Sequence, residues 1–130
     1  MTDCVPETIS ILGTSVSVFD SYDHALQLIH GRISRRMRTF CVAINPEKVY
    51  RARNDAALSR VLDSAHIRIC DGVGISLASR LLHRRRLARC TGVDLFLKLA
   101  GRSAQEGWKV FLLGASPESN AAAGRPPPPE

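Results

Sequence analysis

The first residue in this chain whose type and setting could do chemistry is an aspartate at the end of an alternating apolar run. In Ala65-His66-Ile67-Arg68-Ile69-Cys70-Asp71-Gly72-Val73-Gly74-Ile75-Ser76 the period-two pattern stops at Asp71, and helix-type sequence resumes after the glycines. A carboxylate at the carboxyl end of a strand stands where open α/β sheets bind ligands, and it can take a proton from an attacking hydroxyl. Gly72 and Gly74 permit positive φ and let a ligand approach the backbone, while the helix behind them offers free N–H groups to an anion. Asp is also a preferred helix N-cap, and the spacing does not choose between capping and chemistry.

Asn45 poses the same choice. It follows the continuous apolar run Phe40-Cys41-Val42-Ala43-Ile44 and precedes Pro46, a residue suited to the first turn of a helix. If the two strands are parallel, Asn45 and Asp71 lie on one sheet edge. Arg89-Cys90-Thr91-Gly92-Val93-Asp94 is a connector with a glycine turn, with Asp94 as candidate cap of the next helix. Gly114, after Trp108-Lys109-Val110-Phe111-Leu112-Leu113, turns a further apolar run toward Ser116-Pro117-Glu118.

To hold these residues the chain needs alternating strands and helices. Extended runs are predicted at 9–12, 16–19, 40–44, the segment ending at Cys70, and 108–113, the first two forming a small hairpin around Gly13 and Ser15. Asp20 or Ser21 can cap a helix built on Ala25, Leu26, Leu28, Ile29 and Ile33. Further helices are predicted at 49–53 and 56–62 around Asn54-Asp55, at 75–82, and from Leu95 to a stop at Gly107. The pattern predicts an α/β fold with a doubly wound, mostly parallel, Rossmann-like sheet. A helix begun at Pro117 is cut short by Pro126-Pro127-Pro128-Pro129. The expected organisation is a leader at 1–8, an incomplete α/β domain at 9–120 whose carboxyl-terminal part is missing, and a Pro-rich, non-native or disordered tail at 121–130.

A chain of 130 residues, 45% of them hydrophobic, suits one modest globular domain. The net charge of +6 and pI near 9.7 favour anionic partners: nucleic acid, an acidic membrane surface or a phosphate-bearing substrate. Basic residues gather at Arg32, Arg35, Arg36 and Arg38 and again at His83, Arg84, Arg85 and Arg86, both groups fitting helix ends. Aromatics are too sparse beside them for a single-strand stacking platform. Cys4, Cys41, Cys70 and Cys90 match neither a zinc knuckle nor a disulfide scaffold, which points to a reducing cytosol. The amino terminus, with Asp3 and Glu7, lacks the basic and apolar regions of a signal peptide, and no apolar run approaches the ~20 residues of a spanning helix.

Taken together, Val42-Ala43-Ile44-Asn45-Pro46-Glu47-Lys48, Asp71-Gly72-Val73-Gly74, Arg89-Cys90-Thr91-Gly92-Val93-Asp94-Leu95 and Val110-Phe111-Leu112-Leu113-Gly114 resemble the WecG/TagA/CpsF glycosyltransferase family, from about Ile9 to Asn120. The resemblance implies an inverting transfer of a hexose-type sugar (N-acetylmannosaminuronic acid, N-acetylmannosamine, mannose or glucose) from a UDP donor to a polyprenyl-pyrophosphate-linked acceptor, in cell-surface polysaccharide synthesis. No cofactor, metal or nucleic acid is implied. It makes Asp71 the catalytic base, Asn45 a sugar-pocket residue and Arg89 a bidentate partner for pyrophosphate, with Gly72, Gly74, Thr91, Gly92 and Gly114 also binding substrate. It further implies a cytoplasmic location at the membrane face, with peripheral contact through a carboxyl-terminal region beyond this chain. Ala43, where the teichoic-acid branch carries Thr, leans the donor toward the mannosaminuronic acid type. The competing class is a non-catalytic nucleotide- or nucleic-acid-binding α/β module in which Asp71 only caps a helix.

Overall fold

A computed structural model describes residues 5–125; Cys4, the start of the expected leader and the proline run of the expected tail lie outside the described residues. The chain divides into two compact units, 1–99 and 100–130.

The first unit opens with a hairpin of β1 (Thr8–Ile11) and β2 (Thr14–Ser17), paired antiparallel with Ile11 opposite Thr14. Its two-residue turn has φ of 49° at Leu12 and 89° at Gly13, the doubly positive geometry that matches the twist of flanking strands. Helix α1 (Tyr22–Ser34) is capped by Ser21, whose hydroxyl accepts from the His24 N–H, so Ser21 and not Asp20 starts it. β3 (Cys41–Ile44) and β4 (Ile67–Cys70) pair in parallel, Cys41 against Ile67 and Ile44 against Cys70. Between them run α2 (Pro46–Ala52), capped by Asn45, and α3 (Ala56–Asp63), capped by Asp55. α4 (Val73–His83) follows β4, and α5 (Gly92–Glu106) carries the chain into the second unit.

The apolar run of β3 is continuous because both faces of this strand pair are covered. Val42, Ile44 and Cys70 pack with Val49, Leu62 and Ile75 and with Ile11 and Val16 of the hairpin. Cys41, Ala43, Ile67 and Ile69 pack against Ala25, Leu26 and Ile29 of α1 and Leu95 of α5. Fully burying each such aliphatic side chain contributes about 1.5–3 kcal/mol. Arg68, a charge in the middle of β4, is satisfied by donating from its guanidinium to the Leu62 and Asp63 carbonyls at the end of α3, while its N–H donates to Ser17 Oγ at 2.9 Å.

The expected mixed α/β fold with parallel pairing is present, but the described residues do not form one doubly wound sheet. Among the described residues there are two separate two-stranded sheets, of which one is parallel. The strand expected at 108–113 is irregular, and Val110, Phe111 and Leu113 are 54%, 85% and 90% exposed. Apolar β-formers become a strand only where a neighbour accepts their ladder, and none of the described residues does so here. In this second unit α5 ends as expected at Gly107 (φ 68°), with the Trp108 N–H bonded to the Ser103 carbonyl at 2.9 Å. α6 (Pro117–Ala123) is capped by Ser116, and it extends past Asn120 into the expected tail.

The first basic group closes α1 as expected, with Arg32 in its last turn, and the structure adds that this arginine is buried. Arg32 is 2% exposed, its Nε donating to Thr39 Oγ1 at 2.8 Å and its Nη2 to the Arg38 carbonyl at 3.2 Å. It belongs to the fold of the α1–β3 connection and not to an anion-binding surface.

Gly74 is a packing glycine. A Cβ there would stand 2.7 Å from the Pro46 ring carbon Cγ, and the ring cannot swing aside. Gly74→Ala is therefore expected to destabilise the protein by about 1–3 kcal/mol, although alanine is worth about 1 kcal/mol over glycine within an unobstructed helix. Urea unfolding with an unchanged m-value checks this.

Candidate functional site

β3 and β4 end side by side, and each delivers one polar residue to the same edge. The Asp71 N–H extends the ladder to the Ile44 carbonyl at 2.9 Å, so Asn45 and Asp71 follow adjacent strand ends. Asn45 Oδ1 accepts from the Lys48 N–H at 2.9 Å, capping α2. That bond orients the amide and leaves Nδ2 as the donor chemically suited to a sugar oxygen.

Asp71 behaves differently. The cap position of α4 is Gly72, at φ 107°, with no side-chain cap. The Asp71 carboxylate turns instead to the start of α5, where Oδ2 accepts from the Gly92 N–H at 3.3 Å. Gly92 lies against both strands: a Cβ on it would meet Ala43 Cβ at 3.5 Å and Asp71 Oδ2 at 3.7 Å. Ala43, Asp71 and Gly92 thus meet at one spot, half-buried.

The start of α5 is held by a network that local sequence rules identify only in part. Thr91, not Asp94, is the cap: its Oγ1 accepts from the Asp94 N–H at 3.2 Å and donates to Asp94 Oδ2 at 2.7 Å. The Thr-x-x-Asp spacing is a capping-box signature visible in the sequence. Tyr22, at the start of α1, carries no such signal. Its hydroxyl accepts from the Thr91 N–H at 2.9 Å and donates to Asp94 Oδ2 at 3.0 Å. These bonds from Thr91 and then Tyr22 hold the Asp94 carboxyl below its ordinary range, with Arg89 and Lys98 adding attraction. The cap is therefore strongest with Asp94 ionised and weakens as pH falls through its lowered titration range.

Tyr22→Phe should remove both bonds, leave the Thr91 N–H without its partner and cost about 1–2 kcal/mol. The Asp94 carboxyl should titrate higher in the variant, measured by NMR. An unchanged Asp94 titration would show that the hydroxyl does not support the cap.

Arg89 is exposed, on a segment tied down at both neighbours: the Ala88 N–H donates to the Phe19 carbonyl at 3.0 Å and the Cys90 N–H to the Cys70 carbonyl at 2.9 Å. Its backbone is fixed beside the end of β4 while its guanidinium faces solvent, close enough to lower the Asp94 carboxyl. Gly74 is occupied by Pro46, and Thr91 by its cap. Gly114 (φ 109°) belongs to the second unit, where its carbonyl and that of Leu112 accept from Asn120 Nδ2 at 3.1 Å.

The thiols near the strand ends are not nucleophiles. Burial first, and Cys90 second, push Cys41 and Cys70 up to about 11, and burial raises Cys90. They stay protonated at neutral pH. Among the described residues no cluster of His, Cys, Asp and Glu could hold a metal ion, and no helix is long and apolar enough to cross a membrane.

The model of the glycosyl transferase WecG/TagA/CpsF family matches residues 9–125, which include every residue of this site. The chain belongs to the WecG/TagA/CpsF glycosyltransferase family.

Proposed function

We propose that this glycosyltransferase-family chain transfers a hexose-type sugar from a UDP donor to a polyprenyl-pyrophosphate-linked acceptor, with inversion, at the cytoplasmic face of the membrane. The observation that carries the reading is the Asp71 carboxylate, which stands at the carboxyl end of β4 beside Asn45 and is not used to cap the helix that follows it. In the proposed reaction Asp71 takes the proton of the acceptor hydroxyl as its oxygen attacks the anomeric carbon, and the bond from that carbon to the UDP oxygen breaks on the opposite face. The Gly92 N–H orients the carboxylate, and Asn45 Nδ2 holds a sugar oxygen. Arg89 supplies a planar fork for pyrophosphate oxygens, a geometry that lysine lacks.

Ala43 sits against Gly92 at this spot, so a branched residue there would crowd the pocket wall. Alanine here, where the teichoic-acid branch carries threonine, supports a donor of the N-acetylmannosaminuronic acid type. The test is to supply UDP-linked N-acetylmannosaminuronic acid, N-acetylmannosamine, mannose and glucose in turn with a polyprenyl-pyrophosphate-linked acceptor, following UDP release and the acceptor's mass. Acceptor-dependent gain of one sugar supports the reading. Release of UDP at the same rate with and without acceptor, and no mass gain, would refute it.

A further inference from the structure

We propose that the outer face of α4 is a docking surface for an anionic phospholipid membrane. Val73, Leu77 and Leu81 are 65%, 52% and 75% exposed and recur at every fourth position, which lines them along one side of the helix. The opposite side carries the buried Ile75 and Ser79 and packs on the core. A surface helix ordinarily sets charged and polar residues against its buried stripe, and α4 sets a second apolar stripe there instead.

The charges around that stripe select its occupant. Arg80 lies in the last turn, and Arg84 is the left-handed residue that ends the helix; from Val73 through Arg89 the chain has no acidic residue but carries Arg80, Arg84, Arg85, Arg86 and Arg89. Arg85 is matched by a bidentate pair with Glu7, both bonds at 3.0 Å, while Arg80, Arg84 and Arg86 are exposed. Apolar side chains flanked by cations fit a bilayer with anionic headgroups: the aliphatic groups enter the acyl boundary and the guanidinium groups meet lipid phosphate. A second copy of the chain would set cation against cation. The inference does not depend on the sugar-transfer reading, since it uses only the face of α4. If both hold, the stripe begins two residues after Asp71 and brings the bilayer to the end of the helix where a lipid-linked acceptor would react.

The experiment is co-sedimentation of the whole chain with vesicles of phosphatidylcholine alone or of phosphatidylcholine with phosphatidylglycerol. Leu77→Gln/Leu81→Gln and Arg80→Gln/Arg86→Gln are compared with the unmodified protein, and thermal melts by circular dichroism check that the exposed changes leave the fold intact. The expected result is binding to the anionic vesicles only, weakened about tenfold in each double variant and by added salt. Absence of binding by the unmodified chain, or equal binding by Leu77→Gln/Leu81→Gln, would overturn the proposal. So would a dimer seen by light scattering that Leu77→Gln/Leu81→Gln abolishes without any vesicle binding, which would assign the face to a second copy.

Discussion

Asp71→Asn is expected to lower the turnover of sugar transfer by about 10²–10⁴-fold, the usual cost of losing a general base. The substitution isolates chemistry from architecture. An asparagine has the shape of aspartate, and its amide oxygen can still accept the Gly92 N–H that Asp71 Oδ2 accepts at 3.3 Å. The helix behind it is also unaffected, because Gly72 and not Asp71 occupies the cap position of α4. Stability in urea should therefore change little while kcat collapses. Since the acceptor's proton is at issue, KM for the donor should move far less than kcat. Near-normal turnover by the variant would remove Asp71 from the mechanism and return it to a role in orienting α5.

Arg89→Lys is expected to reduce kcat/KM by about 10–100-fold, the range set by a charge-assisted hydrogen bond worth about 1.5–3 kcal/mol. The charge is kept, so a loss must come from the planar fork that reaches two phosphate oxygens at once. The fold should tolerate the change, because Arg89 is exposed and the strand-like tethers beside it run through the backbone of Ala88 and Cys90. Unchanged kinetics in the lysine variant would make Arg89 an ordinary surface cation. Asp94 must stay in place during this comparison, since its carboxyl feels the Arg89 charge and anchors the start of α5.

The two site predictions fail differently. A dead Asp71→Asn protein with a normal Arg89→Lys protein would keep the base and reassign the phosphate contact. Loss in both, with intact folds, is the pattern expected of one site built on the ends of β3 and β4 and the segment beside them.

Much of this arrangement was legible because it is local. Ser21, Asn45, Asp55 and Ser116 each bond the N–H three residues on, a spacing that can be read along the chain without knowing the fold. Gly107 ends α5 for the same kind of reason, and the alternating run at Ile67 and Ile69 placed Asp71 at a strand end. The membership of the family, too, is a property of the sequence, carried by residues 9–125. Other features depended on partners far along the chain. Only the folded protein decided that the Asp71 carboxylate meets Gly92 and not its own helix, that Gly74 makes room for Pro46, and that Tyr22 braces Thr91 and Asp94. The helix-end position of Arg32 was legible, but its burial and its bonds to Thr39 and Arg38 were not, because burial is a property of the neighbours and not of the residue. The run at 108–113 has the composition of a strand and is not one, since a ladder needs a second chain segment to receive it, and composition carries no record of whether that segment is there.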